Sequence, residues 1–129
     1  MEKKWVNTRE APLPVGPYAQ AVKAGGFLFV SGQIPVDART GQLSTGPFVE
    51  QAGKALDNLA AVLKAGGAGL DSVVKVTVYL SDMANFNEFN MVYITYFENS
   101  RPARSCVAVR ELPKGALVEI EAVALCEDG

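Results

Sequence analysis

The stretch Arg101 to Glu121, RPARSCVAVRELPKGALVEIE, decides how this chain is read. It holds two strand-like runs, one around Arg104 to Val109 and one beginning at Val118, joined by the RELPKGA connection. Desolvating a guanidinium is costly unless an anion meets it, so an anion is expected against Arg104. That anion is either a neighbouring side chain or a ligand. Along a strand, alternate residues face opposite ways. Ser105, Val107 and Val109 therefore share one face, and Arg104, Cys106 and Ala108 the other. In the second run Val118, Ile120, Ala122 and Ala124 oppose Glu119, Glu121 and Val123. If the two runs pair directly, their apolar faces coincide. Arg104, Cys106, Glu119 and Glu121 are then expected together on the opposite, non-core face.

The rest of the composition narrows what such a cluster could do. A chain of 129 residues is expected to form a single domain over 1–129. Its hydrophobic content of 49% is high for a monomer of this size. The excess predicts an oligomer, because apolar surface left over after folding tends to become an interface. A net charge of −2 provides no global field for nucleic acid. The opening MEKKWVNTRE has no apolar run, so neither a secretory signal nor a membrane span is read there. Two cysteines, Cys106 and Cys126, do not make a disulfide scaffold, and a cytoplasmic setting is expected. The absence of histidine removes Ser-His and Cys-His catalysis and most zinc sites, and no metal is assigned.

Periodicity supplies the other elements. Lys4 to Asn7 reads as a short strand. Gln20 to Lys23 and Phe27 to Ser31 read as a hairpin turning at Gly25-Gly26. Pro47 suits the first turn of a helix, whose Phe48, Ala52, Ala55, Leu56, Leu59 and Leu63 lie on one face until Gly66-Gly67 ends it. Val73 to Leu80 is a strand with Val74, Val76, Val78 and Leu80 on one side. Ser81 or Asp82 caps a second helix, with Phe86, Phe89, Tyr93, Tyr96 and Phe97 at helical spacing. The order β-β-β-α-β-α-β-β, with one apolar stripe per helix, predicts an α+β fold in which both helices cover one face of a mixed sheet. The other face is left open.

Four segments then become recognisable together: PVGPYAQAV at Pro14 to Val22, FVSGQIPVD at Phe29 to Asp37, LDNLAAVL at Leu56 to Leu63, and RPARSCV…LPKGALVEIEAVA at the C-terminal end. Across its whole length the chain resembles the RidA (YjgF-type) family of reactive imine deaminases. The resemblance implies a chorismate-mutase-like fold and a homotrimer with three clefts between subunits. It also implies hydrolytic deamination of 2-aminoacrylate and 2-iminobutyrate to pyruvate, 2-oxobutyrate and ammonia. Such enamines and imines are products of pyridoxal-phosphate-dependent serine and threonine dehydratases. By the same resemblance Arg104 clamps the substrate carboxylate and Glu119 orients or deprotonates the attacking water. Cys106, Tyr18, Ser31 and Gly32 complete the substrate-binding set. No cofactor is implied.

Plainer readings stand beside these. Arg104 could form a cross-strand ion pair with Glu119 or Glu121, worth only about 0.2–1 kcal/mol. Cys106 could be a small buried hydrophobe, and Tyr18 a packing residue. Glu121 reads as a structural partner for a cation. Two rival functions remain. A non-catalytic sensor would bind 2-oxo acids in the same cleft. An RNA-directed endoribonuclease or translation inhibitor would need a basic or aromatic platform that the sequence does not show.

Overall fold

The computed structural model describes residues 2–127. The first helix shows how local chemistry sets the frame. Pro47 occupies the N-cap position in an extended conformation, one residue earlier than expected, and α1 runs Phe48–Ala65 with Glu50 in its first turn and Lys64 in its last. Its end is fixed by Gly67, whose φ of 79° suits glycine, and by the Ala68 N–H donating to the Leu63 carbonyl at 2.9 Å. Ala52, Ala55, Leu56, Leu59, Val62 and Leu63 are fully buried against the sheet. The second helix, α2 at Phe86–Phe97, follows a short 3-10 turn at Met83–Asn85 that Asp82 caps by accepting from Ala84 N–H at 2.9 Å. Phe89 and Phe97 enter the core, while the Tyr96 hydroxyl reaches Asp57 of α1 at 2.7 Å.

Six strands form one sheet: β1 Lys3–Val6, β2 Ala21–Ala24, β3 Phe27–Gln33, β4 Val73–Leu80, β5 Ala103–Ala108 and β6 Val118–Leu125. Their order is β1-β2-β3-β6-β4-β5. Only β4 and β5 run parallel, and every other neighbouring pair is antiparallel. The fold is thus the expected α+β arrangement of two helices on one face of a mixed sheet. Val30, Leu28, Val76, Val78, Leu80, Val118, Ile120, Ala122 and Ala124 form its helix-facing core.

Two expectations are corrected. The run of β4 contains a register shift between Val73 and Lys75, so Val73 is buried and Val74 turns outward. A bulge breaks strict alternation at that point. More consequentially, β5 and β6 do not pair. The β4–α2–β5 crossover places β5 at the sheet edge, and β6 enters between β3 and β4. The chain between β5 and β6 passes over the end of β4, held by Val109 N–H to the Leu80 carbonyl at 2.8 Å and Ser81 N–H to the Leu117 carbonyl at 3.1 Å. In this register Arg104 is level with Val76 and Cys106 with Val78, on the helix side. Glu119 is level with Tyr79 and Glu121 with Thr77, on the open side. The four residues expected on one face are split between two.

The open face carries unusual apolar exposure. Trp5, Phe29 and Leu125 are 75%, 48% and 51% exposed although they lie on the same face of β1, β3 and β6. An unaccompanied sheet face of this kind invites a partner surface.

Candidate functional site

Arg104 projects from the edge strand into the seam beneath α2. Its Nη1 donates to Asn90 Oδ1 at 2.8 Å. The guanidinium carbon lies 4.7 Å from the Tyr93 ring centre, 5.7 Å from that of Phe86 and 6.0 Å from that of Phe89. Cation–π attraction and one hydrogen bond therefore hold the group in place. No carboxylate among the described residues forms an ion pair with it. The cross-strand pair with Glu119 or Glu121 is ruled out, because those residues emerge from the opposite face. A hollow of about 310 Å³ lies beside Arg104, bordered by Asn90, Tyr93 and Arg101.

Cys106 is half-buried on the same side as Arg104 and packs against the core. Burial pushes its thiol above the ordinary value, outweighing the opposing effect of Arg104. A packing or contact role fits this better than a thiolate nucleophile.

The remaining sequence-predicted residues converge elsewhere. Tyr18, Ser31, Gly32 and Glu119 all line a cleft of about 820 Å³ on the open side of the sheet. The Ser31 hydroxyl donates to the Ala19 carbonyl at 2.6 Å, which leaves its oxygen available as an acceptor. Gly32 follows the register shift after Val30 and lies under the Glu119 side chain. A Cβ at this position would come within 2.8 Å of the Glu119 carboxyl carbon, so glycine is needed for Glu119 to lie where it does. Burial, and to a lesser degree the neighbouring Glu121, push the Glu119 carboxyl above the usual carboxylate range. Glu121 itself accepts a short hydrogen bond from the Tyr79 hydroxyl. Tyr18 is half exposed at the cleft rim.

The two groups are therefore separate within one chain. β5 lies three strand spacings from β3, roughly 14 Å at the usual separation, and on the other face. Two supporting residues escaped the sequence reading. Asn90 is a half-buried amide that interrupts an aromatic helix stripe, and only the packing of α2 against β5 brings it to Arg104. Gln20 is fully buried, accepts from Thr8 N–H at 2.6 Å, and donates to the carbonyls of Thr8, Ala11 and Pro12 at 3.0, 3.2 and 2.7 Å. It ties down the loop that forms one cleft wall; a glutamine at the head of a short strand carried no comparable signal. Among the described residues no group of three or more Cys, Asp or Glu is placed to hold a metal ion.

The architecture and hollows define a small α+β protein with sites sized for small molecules. The family model described as Endoribonuclease L-PSP matches residues 8–126, and the chain belongs to this family, whose members also carry the names RutC, YjgF and RidA. It is 50% identical to a RutC family protein of Pyrococcus horikoshii over 97% of this chain and 99% of that protein. A Mus musculus protein named 2-iminobutanoate/2-iminopropanoate deaminase is 46% identical, over 95% of this chain and 91% of its own length. The crystal structure of E. coli TdcF with bound serine superposes with a TM-score of 0.90 at 38% identity, covering 96% of this chain and 99% of that one.

Proposed function

We propose that this chain is one RidA-like domain that hydrolyses the C=N bond of small 2-imino acids, 2-iminobutyrate and the imine of 2-aminoacrylate among them. The observation that carries the reading is Arg104: a guanidinium fixed by an amide and three rings, with no protein carboxylate to neutralise it among the described residues. A substrate carboxylate is the natural counter-ion, because the planar fork can donate two parallel hydrogen bonds to it.

Arg104 and Glu119 leave the sheet from opposite faces, so a complete site requires two copies. Arg104 and Cys106 of one subunit would meet Tyr18, Ser31, Gly32 and Glu119 of another, in three clefts of a homotrimer. The exposed apolar face supports such assembly. Once the carboxylate is clamped, the imine carbon is held beside a water, which is catalysis by orientation. Glu119 accepts the water proton as the oxygen adds, a contribution of about 10²–10⁴-fold. The resulting carbinolamine expels ammonia and leaves the 2-oxo acid. The imine carbon is electrophilic in its own right, so the chemistry needs no cofactor.

The mouse deaminase and the serine-bound E. coli relative support a small amino-acid-like substrate. Pyridoxal-phosphate-dependent serine and threonine dehydratases are the class of enzyme that would supply it. No described helix is long and apolar enough to cross a membrane, and both cysteines are free, which accords with a reducing cytoplasmic setting. RNA cleavage, named in the family description, finds less support: the net charge is −2 and there is no histidine for acid-base work.

The test couples a threonine dehydratase to 2-oxobutyrate formation with and without this protein. Wild type should accelerate product formation, and Arg104→Ala should not, while keeping its fold by circular dichroism. Full acceleration by the variant would refute the clamp. Binding of 2-oxobutyrate by wild type without acceleration would make the protein a sensor instead.

A further inference from the structure

Among the described residues four polar side chains are buried, and all four are amides: Gln20, Gln33, Gln51 and Asn58. A buried amide destabilises the fold unless its donors and acceptor are met. Here they meet backbone around the open-side cleft. Gln20 donates to the Pro12 carbonyl at 2.7 Å, and Gln33 to the Ser31 carbonyl at 3.2 Å. Gln51 accepts from Leu117 N–H at 3.1 Å, two residues before Glu119. Asn58, on the buried face of α1, directs both N–H groups at the next stretch of wall. It donates to the Ile34 carbonyl at 3.0 Å and to the Val36 carbonyl at 2.9 Å. Pro12, Ser31, Ile34 and Val36 all line the cleft.

The turn that Asn58 holds is coupled to the site by a short length of chain. Pro35 has no N–H for a ladder, β3 ends at Gln33, and Val36 N–H turns back to the Ile34 carbonyl at 2.8 Å. Gly32 stands two residues before Ile34, and Glu119 lies over it without slack. A Cβ at Gly32 would come within 2.8 Å of the Glu119 carboxyl carbon. Any shift of the turn is passed to the surface on which Glu119 rests.

We propose that Asn58 is a positioning residue: from the buried face of α1 it fixes the Ile34–Val36 turn, which fixes Gly32 and through it the place of Glu119. This role rests on the imine-hydrolysis reading above. On that reading Arg104 reaches the cleft from another copy, where Asn90 and the rings of α2 hold it, so the clamp does not depend on Asn58. Glu119 acts on the water as it adds, and a displacement of about 1 Å in such a group costs about 10²-fold. Loss of Asn58 therefore falls on kcat and leaves KM nearly as it was.

The experiment measures kcat and KM in the dehydratase-coupled assay, beside thermal melts and amide hydrogen exchange, for wild type, Asn58→Ala and Val62→Ala. Val62 is fully buried on the same helix, and its truncation is a lesion of stability alone. Asn58→Ala should lower kcat roughly tenfold to a hundredfold with KM little changed. Exchange should quicken in residues 31–37 while β6 stays protected. Val62→Ala should melt earlier and keep its kcat. If Asn58→Ala does not fold, Asn58→Ser, whose single hydroxyl can meet only one of the two carbonyls, takes its place with the same split expected. Full kcat in the folded variant, an equal fall in Val62→Ala, or a fall without faster exchange in 31–37 would each overturn the role of Asn58 alone. A wild type that does not accelerate hydrolysis would overturn the imine reading, and this role with it.

Discussion

At the scale of single residues, Arg104 gains its meaning from what does not surround it. A guanidinium stacked on Tyr93 and tethered by Asn90 is held in direction while most of its donors remain unspent. On the proposed reading, Asn90 would act on the substrate through the arginine. A hydrogen bond to a charged group is worth about 1.5–3 kcal/mol, so Asn90→Ala should lower kcat/KM by roughly tenfold or more. The loss should appear mainly as a raised KM, because a carboxylate clamp binds substrate and transition state alike. Steady-state kinetics beside a thermal melt checks this; a fall in kcat with KM unchanged would contradict the tether. The arginine was legible in the sequence as a charge inside a strand. Its tether was not, since Asn90 belongs to another element and only the packing of α2 brings the two together.

At the scale of elements, the sequence conveyed which segments form but not which of them touch. Both helices and strands β3, β4 and β6 were readable from their apolar stripes and β2 from the Gly25-Gly26 turn, while β1 and β5 expose most of their side chains and carry no such stripe. Pairing was misjudged where a short connection suggested a hairpin between β5 and β6. Hairpin logic rewards neighbours in sequence, but a parallel strand needs a crossover, and the α2 crossover carries β5 outward. That leaves a gap between β3 and β4 that only β6 can fill. β6 should therefore be the strand on which cooperativity depends. Ile120, fully buried at its centre, is level with Val78 of β4 on one side and Gln33 of β3 on the other. Ile120→Ala should cost about 2–5 kcal/mol through lost burial and the cavity left behind. Urea denaturation would register this as a lower midpoint with an unchanged slope; a loss below 1 kcal/mol would mean that the centre of the sheet repacks without it.

At the scale of the whole molecule, the misjudged pairing changes what the site has to be. Had β5 and β6 been neighbours, one chain could have held arginine and glutamate together. With β4 between them and the two side chains on opposite faces, a single copy keeps arginine and glutamate apart, and the proposed site needs a second copy. Assembly through the exposed Trp5, Phe29 and Leu125 face gives the halves a way to meet. This makes a prediction that a site within one subunit cannot share. On the proposed reading, homotrimers of Arg104→Ala and of Glu119→Gln should each be inactive. When the two variants are unfolded together and reassembled, some clefts will take their arginine from a Glu119→Gln subunit and their glutamate from an Arg104→Ala subunit. With random mixing in a closed ring, roughly one quarter of the clefts have both. Activity should return to about that fraction of wild type, and reassembly of either variant alone should restore none. If the mixture stays silent while mass measurement shows mixed trimers, arginine and glutamate must act within one subunit, which this sheet order could permit only by rearranging β5.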